Sequence, residues 1–175
     1  MKKSLERYGK IGFAFAGIMG ILLHFLYNIT GKSVLVAPFS AVNESTWEHM
    51  KLLFFPLLVF AFIEYRLIGK NYENFWCVKL IGTVTGLLAI PFLYYTYKGA
   101  LGTSADWFNI AIFFIAAAVT FFLETALLKR DIPCPVSSAV SVGALILIAV
   151  IFIIFTFAAP EIPLFMDPIK GSYGI

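Results

Sequence analysis

Charge is scarce in this chain: 13% of its 175 residues are Asp, Glu, Lys or Arg, against 61% that are hydrophobic. So few polar side chains cannot coat a water-soluble globule, which excludes a soluble enzyme. Histidine and cysteine are scarcer still, two of each. Cys77 and Cys134 form no CxxC pair and no Cys/His ligand spacing, so neither a zinc motif nor a dithiol redox motif is indicated. No HExxH helix, Ser-His-Asp spacing, phosphate-cradling glycine loop or dinucleotide fingerprint occurs. No internal repeat of useful length supports an inverted-repeat transporter. The net charge of +3 is small. Its Lys and Arg sit in particular loops, so they report membrane orientation, and no nucleic-acid partner is expected.

What the chain has in abundance is long runs that are apolar all round, with 17% aromatic residues and a mean hydropathy of +0.90. Runs of about 20 such residues match the roughly 30 Å of hydrocarbon in a bilayer. The expected fold is all-α, a polytopic membrane helix bundle with five transmembrane helices at about 11–30, 46–66, 75–96, 107–128 and 136–158. Together they form a single integral membrane domain over residues 1–175. The basic head and first run could suggest a signal peptide. However, the run is long, contains His24 and ends without a good small-x-small cleavage site, so a membrane helix is expected instead. The second segment is the weakest, because its apolar centre, 52–63, is short. It reaches spanning length only if Trp47-Glu48-His49 and Glu64-Tyr65-Arg66 sit at the two interfaces.

Orientation follows from counting Lys and Arg by side. With the N-terminus inside, nine fall on the cytoplasmic face and four outside (Lys32, Lys51, Lys98 and Lys170), which accounts for all 13. The bias predicts an N-terminus in and a C-terminus out. Both cysteines then lie at the reducing side, and no structural disulfide is expected. Trp47, Tyr94, Tyr95, Tyr97 and Trp107 would form the outer aromatic belt, and Tyr65, Tyr72 and Trp76 the inner one.

Helices in lipid associate through small and polar residues. Gly17, Gly20, His24, Asn28 and Gly31 share a stripe on the first helix. Gly82 and Gly86 form a small-xxx-small pair on the third, and Asn109, Ala116, Thr120 and Glu124 follow one face of the fourth. These stripes read as packing seams or as the lining of a polar cavity. Pro56 and Pro91 each free a carbonyl one turn earlier, at Leu52 and Leu87, which could supply a ligand or a hinge.

The stretch richest in chemistry is Asn43–Pro56. Ser45-Thr-Trp-Glu48 matches a capping box, with the Ser45 hydroxyl accepting from the Glu48 N–H and the Glu48 carboxylate reaching back to the Ser45 N–H. A cap and a helix-end charge explain Ser45 and Glu48, but they leave His49 unexplained, with Asn43 and Glu44 crowded beside it. His24 lies roughly 9 Å below the outer end of its helix and His49 roughly 4–5 Å into its own, about one turn apart in height. Sequential antiparallel helices are usually neighbours, so His24, Asn28, His49 and one of Glu44 and Glu48 are expected to converge. Such a set suits Zn²⁺ or another divalent metal ion, with His24, Glu44 and His49 as ligands, or a proton-handling cluster. Glu48 and His49 point about 100° apart, so both cannot face one ion. Glu64 and Glu124 are expected to pair at the inner interface with Arg66 and with Lys129 and Arg130, or, less plainly, to form an inner half-site.

The run Pro38…Asn43-Glu44-Ser45-Thr-Trp47-Glu48-His49-Met-Lys51-Leu52-Leu-Phe54-Phe-Pro56, with His24-x-x-Tyr27 before it, resembles the signature of a family of small bacterial multi-span membrane proteins known as a domain of unknown function. The resemblance covers most of the chain and implies a bacterial inner membrane, with no mechanism attached. Three functions are consistent with the residues. The first is a small carrier or channel-like protein for an ion or solute, built on His24, Asn28, Asn43, Glu44, Glu48 and His49 outside and Glu124 further in. The second is a membrane-embedded metal-dependent enzyme with Glu44 or Glu48 as acid/base. The third is a noncatalytic protein whose outer turn docks a membrane partner or a second copy. In all three the lipid bilayer is a partner.

Overall fold

The computed structural model describes every residue except Met1, Ser104 and Asp131. Among the described residues the architecture is all-α, with five helices and no strand. They are α1 (Lys2–Ile29), α2 (Thr46–Leu67), α3 (Phe75–Leu101), α4 (Asp106–Arg130) and α5 (Ser138–Phe157), with a single 3-10 turn at Gly69–Asn71. The basic head is helical too, continuing α1 to Lys2, because nothing between Lys2 and Ile11 breaks a helix.

Four helices are long and apolar enough to cross a membrane: α1, α3, α4 and α5. The exception is α2, which carries Glu48, Lys51, Glu64 and Arg66. It is nevertheless the most enclosed helix, with 14 of its 22 residues buried and neighbours on the α1, α3, α4 and α5 sides. The other four turn apolar side chains outward, among them Leu22, Phe25, Leu88, Phe92, Phe122, Leu147 and Phe157. Glu48, Lys51 and Glu64 of α2 find partners within the protein while the outward faces of the other helices are apolar, an arrangement compatible with a hydrocarbon solvent. Pro56 and Pro91 stand inside α2 and α3, where neighbouring helices hold the chain in register.

Glycines set the closest approaches. A Cβ at Gly12 would collide with Phe121 and Phe60, and one at Gly20 with Phe113. Likewise, one at Gly86 would meet Thr120. The glycines of α1 and α3 therefore sit in seams against α4, filled by aromatic rings on the α1 side and by Thr120 and Glu124 on the α3 side.

Two irregular segments cover the N-terminal end of α2. The loop 30–45 turns back on α1, where the Ser40 hydroxyl donates to the Leu23 carbonyl (2.5 Å) and accepts from the Tyr27 N–H (2.8 Å). The tail after α5 folds over the same end: the Trp47 N–H donates to the Leu164 carbonyl (3.0 Å), and Asn43 Nδ2 donates to the Gly174 carbonyl (2.9 Å). Trp47 is buried among Phe152, Phe155 and Phe165. It therefore anchors the tail, and does not stand free at the interface as expected.

Candidate functional site

Three of the anticipated residues meet at one point. His24 comes from α1, His49 from the first turn of α2, and Glu44 from the residue before the α2 N-cap, Ser45. Glu44 Oε1 is 3.9 Å from His24 Nε2 and Glu44 Oε2 is 3.7 Å from His49 Nε2. One ligand atom from each residue lies within 4.8 Å of the other two. A tetrahedral ion bound at about 2.1 Å needs donors about 3.4 Å apart, so small side-chain swings would close the set. The side chains are 29%, 42% and 26% exposed for His24, Glu44 and His49, which leaves the point open to a solute.

Local geometry prepares His49 as a ligand. Its Nδ1 lies 2.9 Å from the Ser45 carbonyl, which can only accept, so Nδ1 carries a proton and Nε2, facing Glu44, is the nitrogen left for a metal. A backbone carbonyl on the far nitrogen is the usual second support of a metal-bound imidazole. Ser45 is held in turn as the N-cap, its hydroxyl accepting from the Glu48 N–H at 3.3 Å. Only half of the expected capping box forms. The Ser45 N–H donates to Asn43 Oδ1 (2.9 Å), and the Glu48 carboxylate accepts from the Val42 N–H (3.0 Å). His24 is edge-on to Phe25, and its Nδ1 is buried without a hydrogen-bond partner.

The other anticipated residues do not join this point. Asn28 is exposed one turn beyond His24, and its carbonyl accepts the Gly31 N–H. Asn43 spends its side chain on Ser45 and Gly174. Glu48 turns into the bundle, where its Oε2 lies 2.6 Å from Lys51 Nζ. Lys51, assigned to the outer loops by charge counting, is fully buried and also donates to the Ala37 carbonyl and Thr156 Oγ1, both at 2.9 Å. Its i,i+3 spacing from Glu48 was the signal available in the sequence.

Glu124 belongs to a second cluster toward the far end of α2. Lys79 Nζ lies 2.5 Å from Glu64 Oε2 and 2.5 Å from Glu124 Oε2, and all three residues are buried. The expected interfacial pairs of Glu64 with Arg66, and of Glu124 with Lys129 and Arg130, are replaced by this triad. Lys129 instead engages Glu6. The reason is packing: Gly82 lets α4 come so near that a Cβ there would strike the Glu124 side chain, which delivers Glu124 to Lys79. A lone lysine within the apolar run Phe75–Leu80 was the clue in the sequence.

The cysteines also correct an expectation. Cys77 and Cys134 are joined in a disulfide, 57 residues apart in sequence. Antiparallel α3 and α4 bring the first turn of α3 beside the connection that follows α4, and a compartment argument from charge cannot see that proximity.

The two ends of α2 thus carry different chemistry. The point at its N-terminal end offers two imidazoles and one carboxylate, a donor set suited to Zn²⁺ and similar divalent ions. The triad at its other end is closed, with two carboxylates sharing one ammonium. No curated protein and no solved structure matches this chain. A family model does match, over residues 1–175, and by it the chain belongs to a family of unknown function, DUF6512.

Proposed function

We propose that this chain crosses a bacterial inner membrane five times, N-terminus in and C-terminus out, and takes up a divalent transition-metal ion at its outer face through His24, Glu44 and His49, as a small carrier or channel-like protein. The observation behind it is the meeting of three donors at one open point, with His49 Nε2 3.7 Å from Glu44 Oε2 and Nδ1 engaged by the Ser45 carbonyl. A fifth span is supported by α2, whose charged groups cluster at its two ends around an apolar middle enclosed by the other helices. With the buried Lys79 and Lys51 set aside, nine cations against four become eight against three, a bias that supports the orientation.

Binding and passage of an ion are favoured over catalysis. A metal-dependent enzyme would need an acid/base beside the ion. Glu44 would be a ligand, and Glu48 is engaged by Lys51 and the Val42 N–H. Docking through the outer turn loses its anchor, since Trp47 is buried under the tail.

The test is elemental analysis of purified protein, followed by Zn²⁺ flux into proteoliposomes. One metal ion per chain and flux that falls on His49→Ala are expected. Folded protein that binds no transition metal overturns the proposal.

A further inference from the structure

The α1 and α4 helices run antiparallel. Glu6 meets Lys129 at one end of their contact, and Gly20 meets Phe113 toward the other. At Gly9 the helices approach so closely that a Cβ would stand 2.6 Å from Thr125 Oγ1. Along this contact lies a cleft of about 680 Å³. Its walls are graded in polarity. The end formed by the first turns of α1 and the last turn of α4 carries Lys10, Lys129 and Arg130, and among the described lining residues Glu6 is the one acid, already engaged by Lys129. Three cations less one acid leave an excess of two positive charges there. Away from that end the walls are apolar, with Phe13 on α1 and Phe122 and Ala118 on α4.

Depth gives the scale. From Arg130 back to Ala118 the helix rises about 18 Å at about 1.5 Å per residue, close to the roughly 15 Å of hydrocarbon in one leaflet. A cationic mouth at the interface and an apolar trough of one leaflet's depth reproduce, in reverse sign, the profile of a lipid with an anionic head. A soluble anion would use the mouth and leave the trough empty. A neutral lipid would use the trough and leave the excess charge unanswered. Phe122 is 79% exposed, and Lys10 and Arg130 are exposed beside it, so the trough is open along its length.

We infer that this cleft is a binding site for one anionic phospholipid, its phosphate held by Lys10 and Arg130 and an acyl chain laid along Phe13 and Phe122 toward Ala118. The site rests on α1 and α4 spanning the bilayer and is independent of the metal site, which lies at the opposite end of α1. Basic pockets between helices are a general mode of anionic headgroup recognition.

The experiment is native mass spectrometry of the full chain in neutral detergent. It is titrated with phosphatidylglycerol or with phosphatidylcholine of the same acyl chains. One phosphatidylglycerol retained per chain, about tenfold or more tighter than phosphatidylcholine, is expected for two basic side chains at a headgroup. The Lys10→Gln/Arg130→Gln variant, altered at exposed positions, is expected to keep its thermal midpoint and Zn²⁺ binding and to bind both lipids alike. Equal retention by the wild type, or an undiminished preference in the variant, overturns the inference. So does competition by glycerol 1-phosphate as strong as by the intact lipid, or a dimer that excludes lipid. Carbonate extraction separates the premises: a chain washed from membranes refutes the spanning helices, while one that stays without lipid preference refutes only the cleft.

Discussion

The imidazoles of His24 and His49 stand 5.8 Å apart, centroid to centroid, with the Glu44 carboxylate within 4 Å of both rings' Nε2 atoms. Two helices separated by a 16-residue connection deliver them there, so the site exists only while α1 and α2 stay packed.

Zinc titration followed by calorimetry is the first check. One ion per chain is expected, and His49→Ala or His24→Ala should weaken binding by about 100-fold, since a ligand or its support is commonly worth 10- to 100-fold or more. Acidification should release the ion, because protons compete for the same imidazole lone pairs. Binding that survives both substitutions would move the site elsewhere.

Much of the fold was legible because hydropathy and turn signals act locally: the five apolar segments, the prolines after α4 and the N-cap at Ser45 all report on a few residues at a time. The convergence of His24 with His49 was legible from depth and adjacency alone. The buried charges were harder. Lys51 and Lys79 look like interfacial charges in a count by side, and only the enclosure of α2 and the glycine seam at Gly82 turn them inward. The disulfide was hidden for the same reason, since it depends on which helices pack.

Removing Lys51 should be far worse than removing its pair. In Lys51→Met the Glu48 carboxylate is left buried without a cation, at a cost of about 3–5 kcal/mol. Thermal denaturation in detergent should show the loss, and Glu48→Gln added to Lys51→Met should recover most of it. A double variant no better than the single would mean that Lys51 acts through Ala37 and Thr156 instead.

Lys79 separates two carboxylates that would otherwise face each other in the bundle. Lys79→Met should therefore destabilise more than Glu64→Gln, by about 3–5 kcal/mol against about 1 kcal/mol, since the first leaves like charges buried and the second leaves a one-to-one pair. Folding yield and thermal midpoints of the two variants measured side by side decide the order. Equal effects would mean that the triad is not one electrostatic unit.

In the proposed orientation the Cys77–Cys134 bond ties the face with the excess of cations, so the positive-inside rule would place a disulfide toward the reducing cytosol. Exchange needs access to a sulfur; Cys77 is 1% exposed and Cys134 is half-buried, so attack is confined to the Cys134 side. An N-terminus-in chain should keep the bond in folded protein under mild reductant and yield two thiols only after denaturation, read by a maleimide-polymer gel shift. Cys77→Ser should cost about 2–4 kcal/mol of thermal stability, the usual worth of a bond closing a long loop. The same orientation puts Leu35, 86% exposed in the loop before α2, outside the cell. Leu35→Cys should therefore react with a membrane-impermeant maleimide in intact cells. Labelling only after lysis would invert the layout, set the disulfide on the oxidising side, and turn the His24, Glu44 and His49 site toward the cytosol.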